Sequence, residues 1–233
     1  MSKGTLYLVP ITIAENALHT LPAEVYTHTA TLQYYFVENV RTARRFLKSL
    51  HKELVIDEMY FSEIDKHNGA DIALLKKWLN EGKQVGVMSE AGCPGIADPG
   101  AELAGIAHSI GAKVVPLTGP SSIILSLMAS GLNGQSFAFN GYLPIKDPAR
   151  TQKLKALEAH SKKENQTQIF IETPYRNNQF LDELLKQCQG NTRLCIAVNV
   201  SAEDSYIKTK TINEWKQQKP ELPKAPTVFL LLA

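Results

Sequence analysis

Cysteine is scarce: Cys93, Cys188 and Cys195 are the only three in 233 residues. The count is odd, no CxxC occurs, and no cysteine has a histidine at metal-ligand spacing. That argues against a disulfide framework and a structural zinc site, and no metal is expected. Cys188 and Cys195 read as small core residues. Long apolar runs are missing as well. A bilayer span needs about 18–20 apolar residues, and every apolar stretch here is broken by Gly, Pro or charge, so no membrane partner is expected. The first ten residues, Met1 to Pro10, are too brief for a signal-peptide core and lack a small-residue cleavage site, which makes a cytoplasmic location the expectation. There is little charge of one sign: 25 Lys and Arg face 23 Asp and Glu, a net +2. A nucleic-acid partner would therefore have to meet a local basic face, not the chain's overall field. Neither a P-loop nor a dinucleotide-binding glycine pattern is present, and there is no repeat or low-complexity tract.

What is present is alternation. Short β-prone runs at 5–9, 33–37, 84–88 and 113–117 are separated by amphipathic segments at 39–50, 71–79 and 101–109. In the first of these segments Val40, Ala43, Phe46, Leu47 and Leu50 keep a helical period, with arginine and lysine on the other side. Gly82 and Gly111 follow helical segments, where C-terminal glycines belong. Strands alternating with helices imply right-handed crossovers and a mostly parallel sheet. The second half differs. A helix at 123–129 precedes strands at 136–139, 168–172, 193–199, 206–211 and 227–232, with helices at 149–162 and 177–187. Consecutive late strands with little room between them point to antiparallel pairing and a mixed sheet. Residues 216–226, rich in Lys, Gln and Pro, read as a loop. The expected organisation is two α/β domains, 1–117 and 118–233. With 44% apolar residues, either half can bury a core.

The most informative stretch is Ser89-Glu90-Ala91-Gly92-Cys93-Pro94-Gly95-Ile96-Ala97-Asp98-Pro99-Gly100, directly after an apolar strand. Ligands of open α/β sheets bind at the carboxyl ends of strands. Gly92 and Gly95 admit close backbone approach, and Asp98 is placed to cap the next helix. The same pattern also suits a tight strand-to-helix turn without a ligand, and the residues alone leave both readings open.

That stretch, Gly4-Thr5-Leu6-Tyr7-Leu8-Val9 before it, and Val115-Pro116-Leu117-Thr118-Gly119-Pro120-Ser121-Ser122 after it resemble the tetrapyrrole methylase superfamily. Ser130-Gly131-Leu132, Phe139-Asn140-Gly141-Tyr142-Leu143-Pro144 and Ile171-Glu172-Thr173-Pro174-Tyr175-Arg176 continue the resemblance in order, over nearly the whole chain. The resemblance implies an α/β fold of two αβα domains with a cofactor cleft between them, a homodimer, and methyl transfer from S-adenosylmethionine. Within the superfamily the wording is most similar to the branch that methylates a ribose 2′-hydroxyl of ribosomal RNA in the small subunit. Carried over by motif, Pro10, Ala91, Gly92, Cys93 and Ile96 face the cofactor. Ser121 and Ser122 hold its amino-acid end, and Tyr175, Asn199, Val200, Pro226 and Thr227 form its adenosine pocket. Some positions depart from the family: Val9-Pro10-Ile11-Thr12 lacks a glycine, and Glu38-Asn39-Val40-Arg41 keeps an acid and an arginine but loses an aspartate. These departures lie on the substrate side, so two alternatives stand beside RNA: a tetrapyrrole or other small-molecule substrate, and a non-catalytic relative that binds S-adenosylmethionine.

A ribose hydroxyl is a poor nucleophile and gains from proton removal. Glu38 and Glu90 are the candidate bases, and Arg41 is the candidate for positioning substrate. Glu38 reads equally as a helix-start acid favoured by the helix dipole. Arg41, Arg44, Arg45 and Lys48 form one basic helix, a phosphate-contacting face or an ordinary solvated one.

Overall fold

The computed structural model describes residues 2–65 and 67–233. The chain divides into two compact units, Met1–Ser121 and Ser122–Ala233.

Unit 1 is built on a five-stranded sheet. Its strands are β1 (Thr5–Leu8), β2 (Tyr34–Val37), β3 (Tyr60–Glu63), β4 (Gln84–Met88) and β5 (Lys113–Pro116), in the order β3-β2-β4-β1-β5. Every pairing is parallel. Helices α1 (Ala23–Thr29), α2 (Val40–Leu50), α3 (Ile72–Asn80) and α4 (Ala101–Ser109) form the crossovers. Successive side chains of a strand point to opposite faces, and the core divides accordingly. Tyr35, Val37 and Met88 pack with Val25 of α1 and with Ala43, Phe46 and Leu47 of α2. Leu6, Phe36, Val85 and Val87 pack with Leu75, Trp78 and Leu79 of α3 and with Leu103 and Ala107 of α4. The result is an αβα sandwich with the sheet buried on both faces, which is why β4 reads as a continuous apolar run.

One strand and one α-helix of this unit were not expected from the sequence. β3 is a four-residue edge strand with both ends exposed, so no apolar run marks it. α1 is a seven-residue helix starting after Pro22. The helix expected over 39–50 begins at Val40, because Asn39 is its cap: the Asn39 Oδ1 accepts from the Thr42 N–H at 3.0 Å.

Unit 2 contains α5 (Ser122–Ser130), β6 (Phe137–Tyr142), α6 (Ala149–Glu164), β7 (Thr167–Glu172), α7 (Asn177–Gln187), β8 (Arg193–Val198), β9 (Tyr206–Thr211), α8 (Ile212–Gln217) and β10 (Thr227–Leu232). Its sheet runs β6-β7-β10-β8-β9, with β6 parallel to β7 and the remaining pairs antiparallel. The sheet is therefore mixed. On one face Phe170, Leu194, Ile196, Phe229 and Leu231 meet Leu154 and Leu157 of α6, Phe180 and Leu184 of α7, and Trp215 of α8. Phe170, Phe180 and Phe229 form an aromatic triad with centroids 5.1 to 6.3 Å apart. α5 packs against β9 and β10. It is tied there by the Thr209 hydroxyl, which donates to the Ser130 carbonyl at 2.7 Å.

α8 corrects the loop expected from 216 onward, since the helix extends to Gln217. Its start is a capping box: the Glu214 N–H donates to Thr211 Oγ1, and the Thr211 N–H donates back to Glu214 Oε2 at 2.8 Å. Among the described residues no helix is long and apolar enough to cross a membrane.

Candidate functional site

A parallel sheet delivers the carboxyl ends of its strands to one edge, and the loops that leave them meet there. In unit 1 those loops lock onto one another. The Ile11 N–H donates to the Gly92 carbonyl at 2.9 Å, joining the loop after β1 to the loop after β4. Gly119, in the loop after β5, lies against Pro10 so closely that a Cβ there would fall 2.2 Å from the proline Cβ. Gly92 has φ +67°, and its missing side chain leaves room for the Pro120 carbonyl. A Cβ at Gly92 would sit 3.3 Å from that oxygen, in a left-handed backbone that glycine tolerates best. The Cys93 thiol donates to the same carbonyl at 3.5 Å, and burial pushes its pKa up, so it is not a reactive thiolate. Glu24 of α1 ties the loop after β5 to that helix. Its Oε1 accepts the Thr118 N–H at 2.7 Å, and hydrogen bonding from Thr118 holds its carboxyl below the usual range.

Of the residues expected at the cofactor in this unit, Pro10 and Gly92 are buried in the cradle, and Cys93 is half-buried. Ala91 and Ile96 are exposed. Ala97 takes φ +62°, a strained conformation for an L side chain of the kind concentrated at functional loops.

Beside the cradle the structure brings together two of the candidate acids. β2 and β4 are neighbours in register, Val37 opposite Met88, so the residues that leave them emerge side by side. Glu38 Oε2 accepts the Glu90 N–H at 2.9 Å, and the Thr42 hydroxyl donates to Glu90 Oε1 at 3.3 Å. A third carboxyl, Asp98, is raised from the ordinary value of 3.8 to about 6, by burial first and then by the negative charges of Glu38 and Glu90. In the sequence Asp98 reads as a helix cap. The helix that follows is capped instead by Gly100, which makes no side-chain bond. Arg41 is the second residue of α2. With Asn39, Val40, Arg44, Arg45 and Glu63 it lines a surface depression of about 560 Å³.

In unit 2 the adenosine candidates converge on one edge of the sheet, where β7 and β8 end and β10 begins. Thr227 is opposite both Glu172 and Val198. The Asn199 N–H donates to the Pro226 carbonyl at 3.0 Å, and Asn199 takes φ +48°, which Asn accepts more readily than most residues. Its side-chain amide donates to Asp204 Oδ2 at 3.0 Å. Val200 is buried, while Tyr175 is 82% exposed, with the Lys224 ammonium 5.8 Å from its ring centroid. Ser121 closes unit 1, and Ser122 opens α5 of unit 2.

Two supporting residues went unrecognised in the sequence. Asn177 is fully buried; its amide donates to the Ala225 carbonyl at 2.8 Å and to Thr227 Oγ1 at 2.9 Å, while its Oδ1 has no hydrogen-bond partner among the described residues. Arg150, 1% exposed, donates to the Pro144 carbonyl at 2.7 Å, to Glu183 at 2.8 Å and to Glu172 at 3.3 Å. The other oxygen of Glu172 accepts from the Thr173 N–H and the Arg176 guanidinium, both at 2.6 Å. This buried network anchors both sides of Tyr175. Among the described residues no group of three His, Cys, Asp or Glu side chains is placed to hold a metal ion.

Residues 6–216 match the tetrapyrrole (corrin/porphyrin) methylases. The chain is 32% identical over 229 residues to the ribosomal RNA small subunit methyltransferase I of Vibrio cholerae serotype O1, an alignment covering 97% of this chain and 76% of that protein. It is 30% identical to the protein of the same name from Bacillus subtilis, over 91% of this chain and 68% of that one. Among solved structures, a diphthine synthase superposes with TM-score 0.69 at 12% identity, covering 99% of this chain and 90% of that one. A uroporphyrin-III C-methyltransferase from Thermus thermophilus, complexed with S-adenosylhomocysteine, superposes with TM-score 0.56 at 15% identity, covering 98% of this chain and 97% of that one. The chain belongs to the tetrapyrrole methylase family and is a methyltransferase.

Proposed function

Taking that family as premise, we propose that the chain methylates ribosomal RNA of the small subunit at a ribose 2′-hydroxyl, with S-adenosylmethionine as donor. Bound S-adenosylmethionine would supply an electrophilic methyl carbon on a sulfonium whose departure leaves a neutral thioether. The residues fit such a group. In unit 1 the loops that interlock at Gly92 and Gly119, with Pro10, Ala91, Cys93 and Ile96, offer backbone dipoles to a charged amino-acid end, with Ser121 as a further polar contact. In unit 2 Tyr175, Asn199, Val200, Pro226 and Thr227 offer an aromatic face, an apolar floor and backbone polar groups, the mixture an adenosine requires. Asn177, buried behind Thr227, braces that wall through its bonds to the Ala225 carbonyl and Thr227 Oγ1.

The observation that carries the reading is the carboxylate pair held beside an arginine-lined hollow. Glu38 has one oxygen fixed by the Glu90 N–H, which orients the carboxylate and leaves the other to take a hydroxyl proton. Arg41, beside it on α2, holds the phosphate next to the reacting ribose. Alignment of the hydroxyl with the methyl carbon supplies most of the acceleration, since well-oriented reactants reach effective molarities of about 10⁵ M or more. Glu38 then adds the proton transfer, worth roughly 10²- to 10⁴-fold. The family resemblance also carries a cytoplasmic location and a homodimer, and sedimentation of the purified chain would check the dimer.

The test is calorimetric titration with S-adenosylmethionine, followed by transfer of labelled methyl to small ribosomal subunits that lack the modification. Glu38→Gln should bind the donor as the parent does and lose transfer by about 10²-fold or more. Full transfer by Glu38→Gln rejects Glu38 as the base. Donor binding without transfer to subunits, or transfer to a tetrapyrrole instead, rejects the RNA reading.

A further inference from the structure

The molecule carries nearly as many acids as bases, yet three arginines converge on one hollow. Arg41, Arg44 and Arg45 occupy positions i, i+3 and i+4 of α2, so they share a face. The helix contains no acid of its own. Among the described residues neither Arg41 nor Arg45 forms an ion pair, and Arg44 is held only by the exposed carboxylate of Asp57. Such an exposed pair contributes little and exchanges readily for a better anion. The hollow reaches Glu38 through Asn39, which lines it, and through the register that sets Val37 beside Glu63. One wall is the carboxylate of Glu63, exposed and, among the described residues, unpaired with any of the three guanidinium groups. An anion-binding hollow with an acid in its wall is poorly made for a polycarboxylate ligand. It suits a polymer that alternates anions with hydroxyl donors.

We infer that this hollow docks the RNA backbone next to the methylated nucleotide, with Arg44 and Arg45 on flanking phosphates and Glu63 accepting from a ribose 2′-hydroxyl. The inference rests on the RNA reading above and extends it to three residues that reading does not use. Guanidinium forks match phosphate oxygens, and phosphate contacts set register on the nucleic acid without reading sequence. The 2′-hydroxyl is the group that distinguishes RNA from DNA at such a contact, and a carboxylate can only accept from it.

The experiment measures binding of the full chain to naked small-subunit ribosomal RNA between 50 and 200 mM KCl, together with methyl transfer to unmodified subunits. Each phosphate contact contributes about 0.7 to the slope of log affinity against log salt for single strands and about 0.9 for duplex. The double variant R44A/R45A should therefore lose roughly 1.4 to 1.8 from that slope and more than about tenfold in affinity near 0.1 M salt. The KM for subunits should rise in proportion, with kcat and S-adenosylmethionine binding unchanged. R44K/R45K, which keeps the charges, should recover the slope. R45A, which removes an exposed side chain without an ion pair among the described residues, should lose about half of it. E63Q should narrow the preference for RNA over DNA of the same sequence. An unchanged slope and KM in R44A/R45A, or a loss confined to kcat, overturns the docking site while leaving the RNA reading intact. Absence of salt-dependent RNA binding in the parent chain overturns both.

Discussion

Replacing Arg150 by methionine tests whether the buried network beneath Tyr175 holds that part of the molecule. The arginine is 1% exposed and its guanidinium makes three hydrogen bonds, to Pro144, Glu183 and Glu172. It also lies 5.5 Å from the Phe180 ring centroid. Methionine keeps the stem and its packing while removing the charge and all three bonds. Breaking a buried ion pair by deleting one partner costs about 3–5 kcal/mol, because the other charge is left buried. Two features pull the value toward the lower end. Glu183 is 25% exposed and can recover water, and Glu172 retains Arg176 and the Thr173 N–H. We therefore expect a loss near 3 kcal/mol in urea unfolding, with an unchanged m-value, and a fall in Tm of roughly 6–12 °C. Lysine at the same position keeps a charge but cannot fork between two carboxylates, so R150K should fall between parent and R150M. In R150M/E172Q the loss should be smaller than the sum of the two single losses, since the residues share one interaction. Because Glu172 also fixes Arg176, R150M should weaken S-adenosylmethionine binding under conditions where the chain is still fully folded. A stability within about 0.5 kcal/mol of the parent, with unchanged donor affinity, would refute the reasoning: the network would then be neither a stability element nor a support for the Tyr175 turn.

Two further substitutions probe the unit 1 cradle. Asp98 is raised from 3.8 to about 6 by burial and by Glu38 and Glu90, so between those values the folded chain holds a proton that the unfolded chain releases, and stability falls as pH rises through that window. D98N removes this penalty. It should be more stable than the parent above about pH 6, by on the order of 1 kcal/mol or less given the group's solvent access, and converge with it below about pH 4. Equal or lower stability of D98N at neutral pH would exclude the charge-crowding account. Gly119→Ala puts a Cβ 2.2 Å from the Pro10 Cβ. It should destabilise by about 1–3 kcal/mol and weaken donor binding, because the loops after β1 and β5 must separate. Calorimetry giving parental affinity for G119A would detach this contact from the cofactor site.

What the sequence makes legible follows from how each element is buried. β4 and β10 are covered on both faces and appear as apolar runs, whereas β3 is a short edge strand whose pattern of exposed ends carries no such mark. α8 did leave a signal, the Thr211-x-x-Glu214 pairing of a capping box, although the helix it opens is only six residues long. Arg150 left none. It stands in a helix rich in Lys, Arg, Gln and Glu, where one more cation reads as solvated, and only the fold turns it inward onto a glutamate 22 positions away.

The carboxylate pair shows most clearly where sequence reasoning needs topology. Glu38 and Glu90 are separated by 52 positions, and nothing in their spacing relates them. They meet because the strand order places β2 against β4 while β3, which lies between those two in the chain, goes to the outer edge. With Val37 opposite Met88, the first residues past each strand must emerge together. The backbone N–H of one acid then becomes the fixed donor to the other, with no side-chain preference of its own. It follows that exchanging Glu90 for any residue but proline should leave the Glu38 carboxylate oriented, because the bond that orients it belongs to the main chain.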